Sequence, residues 1–78
     1  MAEKLDSDRI REIYKLCKAH FGDVRFVGIK YHNKIGWMAK AQLGDDFANL
    51  TADGKTSSDA LRNLRDRVKK IIKRYNGV

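Results

Sequence analysis

The sequence predicts an α+β fold, a three-stranded antiparallel sheet with two helices packed on one face, in the order helix, strand, strand, strand, helix. Two patterns support this prediction. Apolar residues recur at steps of three and four near both ends of the chain, which is typical of helices with one buried side. The segment between them is rich in β-branched and aromatic residues and partly alternates between apolar and polar, as strands do. The 78 residues suit one small basic domain, residues 1–78.

The first helix is predicted to end at Gly22, because glycine often follows the last turn of a helix. The candidates for its N-terminal cap are Asp6, Ser7 and Asp8. Its apolar residues at helical spacing are Ile10, Ile13, Tyr14, Cys17 and Phe21. Because Cys17 belongs to this stripe, we expect it to be a small core residue and not a nucleophile. A basic stripe beside it, interpreted as a solvated flank, consists of Arg11, Lys15 and Lys18.

Three strands are predicted in the middle of the chain. They cover residues 24–31, 36–43 and 47–51. Short turns at residues 32–34 and 44–46 separate them, so that the first two strands form a β-hairpin. Asp53 and Gly54 are expected to lead into the cap of the last helix.

The faces of the strands indicate where the core lies. Apolar side chains occupy one face of the second strand, at Trp37, Ala39, Ala41 and Leu43. We therefore expect Trp37 to anchor the core and not to offer a platform for stacking bases. The first strand has apolar residues on both faces: one set is Phe26 and Gly28, and the other is Val27, Ile29 and Tyr31. Both sets cannot lie beneath the helices, so one is a candidate contact or dimer surface on the open face.

The last helix is predicted over residues 56–75. Its apolar stripe consists of Ala60, Leu61, Leu64, Val68, Ile71, Ile72 and Tyr75. Thr56 or Ser57 can cap the first turn through a hydroxyl, and Thr56 with Asp59 approximates a capping box. Gly77 is the expected stop.

The last helix also carries most of the positive charge. Residues 56–75 hold seven cations and two acids, a balance of +5 in a chain whose net charge is +7. Such an excess predicts an anionic partner, most commonly nucleic acid, either RNA or DNA. An acidic protein is the alternative partner. Anionic membranes also fit the charge, although we expect no membrane partner.

Candidate phosphate contacts form four groups. One row on the polar face of the last helix, which we favour, consists of Arg62, Arg65, Lys69 and Lys73. A second row consists of Arg67, Lys70 and Arg74. Lys55, together with the first backbone amides of that helix, could hold one phosphate. At the tip of the hairpin, His32 and Lys34 could add a further contact.

Groups suited to catalysis or metal binding are scarce. A nucleophile needs a base within hydrogen-bond reach, but Cys17 points into the predicted core although His20 lies three positions later. The histidines and aspartates lack zinc-site spacing, and the glycines do not form a phosphate-binding loop. The adjacent Asp45 and Asp46 are interpreted as a polar turn. We therefore expect no enzyme activity, no cofactor and no metal.

Three features bear on location. The single cysteine excludes an intrachain disulfide and fits a reducing compartment. No apolar run is long enough to cross a bilayer, and the polar N-terminus does not resemble a secretory signal. We expect an intracellular, cytoplasmic and soluble protein.

The element order resembles that of the double-stranded-RNA-binding domain over nearly the whole chain. In that family a histidine in the hairpin loop enters the RNA minor groove, and lysines opening the last helix bind phosphates. By this resemblance, His32 matches the loop histidine, and residues 54–61, GKTSSDAL, overlie the segment that enters the helix. Ser57 and Ser58 stand where the family has paired lysines, and the basic residues begin later, at Arg62.

The second half of the chain also resembles antitoxins of the Hic toxin–antitoxin type. The strand GWMAKAQL, followed by a loop and by GKTSSDALRNL, is similar to that family's strand and its G-x-T-x-x-E-A-L-x-x-L segment. This resemblance implies a small regulator that binds another protein. Small size, high charge and the lack of catalytic residues also suit inhibitors encoded by phages or plasmids, which bind host proteins.

From these patterns we predict a non-enzymatic binding module that contacts nucleic-acid phosphates mainly through the last helix. The alternative is a protein-interaction module, an inhibitor or antitoxin-like regulator whose basic helix docks on an acidic protein. A homodimer remains open, because the edge strands of a three-stranded sheet can pair with another copy.

Overall fold

The computed structural model describes residues 6–44 and 49–76, except for the side chains of Tyr75 and Asn76. Its elements are α1 (Asp6–Phe21), β1 (Val24–His32), β2 (Gly36–Leu43), β3 (Leu50–Gly54) and α2 (Ser57–Asn76). The strands form one antiparallel sheet in the order β1-β2-β3, and both helices pack on the same face of it. The predicted α+β class and element order are confirmed.

One hydrophobic core lies between the helices and the sheet. Its fully buried members are Ile13, Cys17, Ala39, Ala41, Ala60, Leu61, Leu64 and Val68. The small alanines of β2 let the helices approach the middle of the sheet closely, while leucine and valine side chains of α2 fill the space above them. Neither of the two described helices is long and apolar enough to cross a membrane.

The first helix ends as predicted. Gly22 has a φ of +83°, and its N–H donates to the carbonyl oxygen of Lys18 at 3.2 Å. This is the left-handed residue that commonly closes a helix. Tyr14 departs from the predicted stripe, because it is 40% exposed. It lies about 100° around the helix from Ile13, at the edge of the apolar side, where its hydroxyl can stay in water.

The β1–β2 hairpin turns through residues 33–35, one position later than predicted. The N–H of Ile35 donates to the carbonyl oxygen of His32 at 3.2 Å, and Gly36 follows with a φ of +96°. A turn followed by one left-handed residue is a common three-residue hairpin connection. A Cβ at Gly36 would also lie 3.0 Å from the carbonyl oxygen of Gly54. Conformation and space therefore both favour glycine at this position.

The ambiguity in the first strand is resolved by the register of β1. Val27 and Ile29 lie opposite the two fully buried alanines of β2, so they face the helices. Phe26 points to the open face and is 52% exposed. A bulge between Val24 and Phe26 brings Val24 back to the core side, where it is only 7% exposed.

The third strand lies later in the chain than predicted. It covers Leu50–Gly54 and so extends past the predicted end at residue 51, which places Asp53 and Gly54 in the strand. Leu50, which is 7% exposed, joins the core opposite Ala41. Burial of this side chain selects the register, because a shift by one residue would turn it to the open face.

Several predictions concern segments that are not described. Four of them lie outside the described residues: the turn at Asp45 and Asp46, the first two residues of the predicted third strand, the stop at Gly77 and the side chain of Tyr75.

Trp37 faces the helices, as predicted, but it closes the end of the core and is only half-buried. Its ring centroid lies 5.4 Å from that of Tyr31, the opposite residue on β1, and the rings meet edge to face at 71°. This geometry favours the ring quadrupoles. Trp37 therefore covers the end of the core that is nearest the hairpin tip.

Candidate nucleic-acid interface

The hairpin tip and the start of α2 lie at the same end of the sheet. Trp37 near the tip pairs with Gly54, the last residue of β3, and Lys55 follows directly. The structure thus places three of the predicted contacts, His32, Lys34 and Lys55, at one end of the molecule, and all three are exposed.

The hairpin tip orients its histidine. The N–H of Lys34 donates to Nδ1 of His32 at 3.3 Å. Because Nδ1 accepts this hydrogen bond, the neutral ring carries its proton on Nε2. The tip therefore presents one N–H donor from His32, and the exposed Lys34 follows two residues later, a combination suited to an anionic oxygen.

The first turn of α2 is tied to the first turn of α1. The hydroxyls of Ser57 and Ser58 both donate to the carboxylate of Asp6. A guanidinium nitrogen of Arg9 donates to the Ser58 hydroxyl at 3.1 Å and lies 3.7 Å from the Asp6 carboxylate. A negative charge therefore lies close to the positive end of the α2 dipole. A phosphate held by Lys55 and the first amides would meet this carboxylate, whose charge Arg9 partly offsets.

The favoured row on α2 is divided by the structure. Arg62 is exposed on the outer side of the helix, 3.9 Å from the carboxylate of Asp59. Arg65 turns toward α1, where it lies 3.5 Å from the carboxylate of Glu12 and is only 29% exposed. Its Nε is buried and has no hydrogen-bond partner among the described residues. Lys69 and Lys73 are exposed, so the outer ridge of α2 comprises Arg62, Lys69 and Lys73.

The second row begins with a structural contact. Arg67 donates from its guanidinium to the carbonyl oxygen of Thr51 at 3.3 Å, and Asn63 donates to the carbonyl oxygen of Asp53 at 2.8 Å. Both acceptors belong to β3, which is an edge strand. These side chains cover part of the exposed strand edge. This role was not predicted from the sequence, although the spacing of four residues from Asn63 to Arg67 places them on one side of the helix.

The exposed charge is concentrated in the second half of α2. Four exposed cations there form no ion pair with any described residue: Lys69, Lys70, Lys73 and Arg74. The last acid of the helix, Asp66, precedes all four. Cations at the C-terminal end of a helix are stabilised by its dipole, so this cluster is compatible with the fold while its charge stays available.

The structure separates the two members of the candidate Cys17–His20 dyad. Cys17 is fully buried, as predicted, and desolvation raises the pKa of its thiol to about 11. His20 is exposed, so it does not form a dyad with that thiol. Within the described ranges, no three side chains of histidine, cysteine, aspartate or glutamate are grouped as metal ligands.

No family model, no curated protein and no solved structure matches this chain. The resemblances drawn from the sequence stay predictions. The case for a function therefore rests on the charge and geometry of the chain itself.

Proposed function

We propose that this protein is a non-enzymatic nucleic-acid-binding module that contacts phosphates through the exposed cations of α2. The observation that carries this proposal is the group of four cations in the second half of the helix, none paired with a described residue. Neutralisation of phosphates by such side chains releases counterions from the nucleic acid and drives binding without base specificity.

The outer ridge arranges the proposed phosphate contacts in a row along the helix axis. With a rise of about 1.5 Å per residue, Arg62 and Lys73 lie about 16 Å apart along the helix axis, with Lys69 between them. A phosphate backbone can follow a line of this length. Lys55 and the hairpin tip lie beyond the N-terminal end of the ridge, so Lys34 and Lys55 add positive charge, and His32 adds an N–H donor, in that direction.

The start of α2 distinguishes the proposed phosphate-binding mode from that of double-stranded-RNA-binding domains. By the resemblance in sequence, Ser57 and Ser58 stand where that family has paired lysines, and here both donate to the carboxylate of Asp6. The proposed phosphate contacts therefore lie further along the helix, from Arg62 onward.

The test is a triple variant of the ridge, Arg62→Gln, Lys69→Gln and Lys73→Gln. Glutamine is a good helix former, and these side chains lie outside the core, so the fold should persist by circular dichroism. Binding to single- and double-stranded DNA and RNA is measured by fluorescence anisotropy at several salt concentrations. On duplex, the slope of log K against log salt should fall by about one unit for each phosphate that the variant no longer neutralises.

A matched control removes the same charge elsewhere. Arg11→Gln, Lys15→Gln and Lys18→Gln change three exposed cations of α1. This variant should keep most of the salt slope. Equal reductions of the slope in both triple variants would show that net charge alone matters, and an unchanged slope in the ridge variant would exclude this face of the helix.

Binding assays in which nuclease has removed all nucleic acid test the competing function, a protein-interaction module. If the wild-type protein binds a purified acidic protein but no nucleic acid, and the ridge variant loses that binding, the protein-interaction function replaces the proposal.

A further inference from the structure

The open face of the sheet, on the side away from both helices, presents an aromatic ring. Phe26 is 52% exposed, and its ring lies over Gly28, two residues along the same strand. A Cβ at Gly28 would overlap the ring atoms of Phe26. Glycine in this strand therefore lets the ring lie against the backbone of the sheet.

A groove of about 390 Å³ lies beside this ring. The residues that line it on the open face are Phe26, Gly28, Lys30, Met38 and Lys40. The register places Gly28 opposite Lys40 and Lys30 opposite Met38. Two ammonium groups therefore lie on opposite strands around an apolar floor, and neither forms an ion pair within the described residues.

The combination of these side chains suits one kind of ligand. An aromatic face and a thioether offer stacking and dispersion contacts to a flat heterocycle, and the two lysines offer charge to the groups on either side of it. Asp53, opposite Met38 on β3, also lies on this face. Together, Lys30, Lys40 and Asp53 leave a positive balance around the groove.

We propose that this groove binds a single-stranded segment of nucleic acid, with one base stacked on Phe26 and the flanking phosphates at Lys30 and Lys40. Stacking needs an unpaired base, because a base within a duplex has both faces covered. The ligand class rests on the proposed function, but the surface differs, since α2 lies on the other side of the sheet.

A second copy of the chain fits this surface less well. A two-fold symmetric contact across the open face would bring the same patch of both copies together. Lys30 and Lys40 would then meet the same two lysines of the partner copy, and such like charges repel when they lose water.

The experiment compares a short oligothymidylate with a duplex of the same length, each labelled and followed by anisotropy. Phe26→Leu keeps an apolar side chain but removes the stacking face. It should weaken single-strand binding about 5- to 150-fold, since stacking contributes ~1–3 kcal/mol per base, and should leave duplex binding unchanged. Phe26→Trp preserves an aromatic face and should retain single-strand affinity.

Two further variants keep the test decisive if Phe26→Leu perturbs the fold. Gly28→Ala retains Phe26 but pushes its ring off the sheet, so single-strand affinity should fall while circular dichroism stays native. Lys30→Gln with Lys40→Gln should reduce the salt slope for the single strand by about one to two units.

The outcomes separate this inference from the proposed function. If the wild type binds duplex but not oligothymidylate, or if Phe26→Leu and Gly28→Ala both fold and leave single-strand affinity unchanged, the stacking site is overturned and the α2 proposal stands. A dimer that Phe26→Leu converts to a monomer in light scattering also overturns it, in favour of self-association. A wild type that binds neither probe overturns both proposals.

Discussion

The thiol of Cys17 is fully enclosed by the core, where burial raises its pKa from 9.0 to about 11. At neutral pH the thiol therefore keeps its proton and is not nucleophilic. At the surface, His32 accepts a hydrogen bond from the backbone of Lys34 and so presents Nε2–H outward. Burial therefore keeps the Cys17 thiol from reacting, whereas the hydrogen bond from Lys34 orients His32 for a polar contact.

The raised pKa of Cys17 predicts a loss of stability in alkaline solution. Between pH 9.0 and about 11, the unfolded thiol loses its proton while the folded thiol keeps it. The unfolded state then binds fewer protons, so the free energy of unfolding falls as pH rises through this window. Two pKa units correspond to roughly 2–3 kcal/mol.

Urea denaturation at pH values below and above the window measures this loss. Cys17→Ala removes the thiol, so its free energy of unfolding should start lower, because a cavity is created, but fall less with pH. If the free energy of unfolding falls equally with pH in the wild type and in Cys17→Ala, the thiol does not contribute to the alkaline loss of stability.

At the scale of elements, α2 connects the other parts of the fold. Its apolar side fills the core, its Asn63 and Arg67 bind the carbonyl groups of β3, and its Arg65 reaches Glu12 on α1. The helix begins at a defined cap, where the N–H of Asp59 donates to Oγ1 of Thr56 at 3.1 Å. Loss of that cap would loosen the turn that also carries Ser57 and Ser58, which join α2 to Asp6 of α1.

Thr56→Ala should therefore lower the free energy of unfolding by about 1 kcal/mol, the usual effect of removing an N-terminal cap. Thr56→Ser keeps a hydroxyl acceptor and should lose much less. Both are measured by chemical denaturation. Equal losses in the two variants would attribute the effect to the threonine methyl group and not to the cap.

The molecule as a whole is thin, with extents of 35 × 32 × 21 Å, because one layer of helices lies on one sheet. Its charge of +7 is unevenly distributed, because four cations that form no ion pair with any described residue are grouped near the end of α2. One face of the sheet stays open, and there Phe26 is exposed between basic side chains. The molecule thus presents two distinct positive surfaces on opposite sides.

The clustered charge predicts that salt stabilises the free protein. Lys69 with Lys73, and Lys70 with Arg74, are like-charge pairs four residues apart, each destabilising by ~0.2–0.5 kcal/mol at low ionic strength. Screening should therefore raise the free energy of unfolding by about 0.5–1 kcal/mol. Urea denaturation, which adds no ions, measures this at low and high sodium chloride.

The ridge variant with three glutamines provides the control, since it lacks two of these cations and should respond less to salt. A wild-type stability that stays constant or falls with salt would contradict the prediction.

Much of the fold could be predicted because helices and hairpins depend on neighbours along the chain. Helical periodicity, the stop at Gly22, the cap at Thr56 and the burial of Cys17 all follow from residues within a few positions of one another. The concentration of positive charge on the last helix could likewise be counted directly from the sequence.

Only the tertiary structure decided which face of β1 is buried, where β3 begins and which cations of α2 stay exposed. Leu50 sets the register of β3 by its burial beside Ala41, and Arg65 finds Glu12 on the other helix. Ser57 and Asp6 are 51 positions apart, yet they share a hydrogen bond. Such choices depend on the packing of one element against another, because burial and ion pairing are properties of distance in space, which periodicity along the chain does not specify.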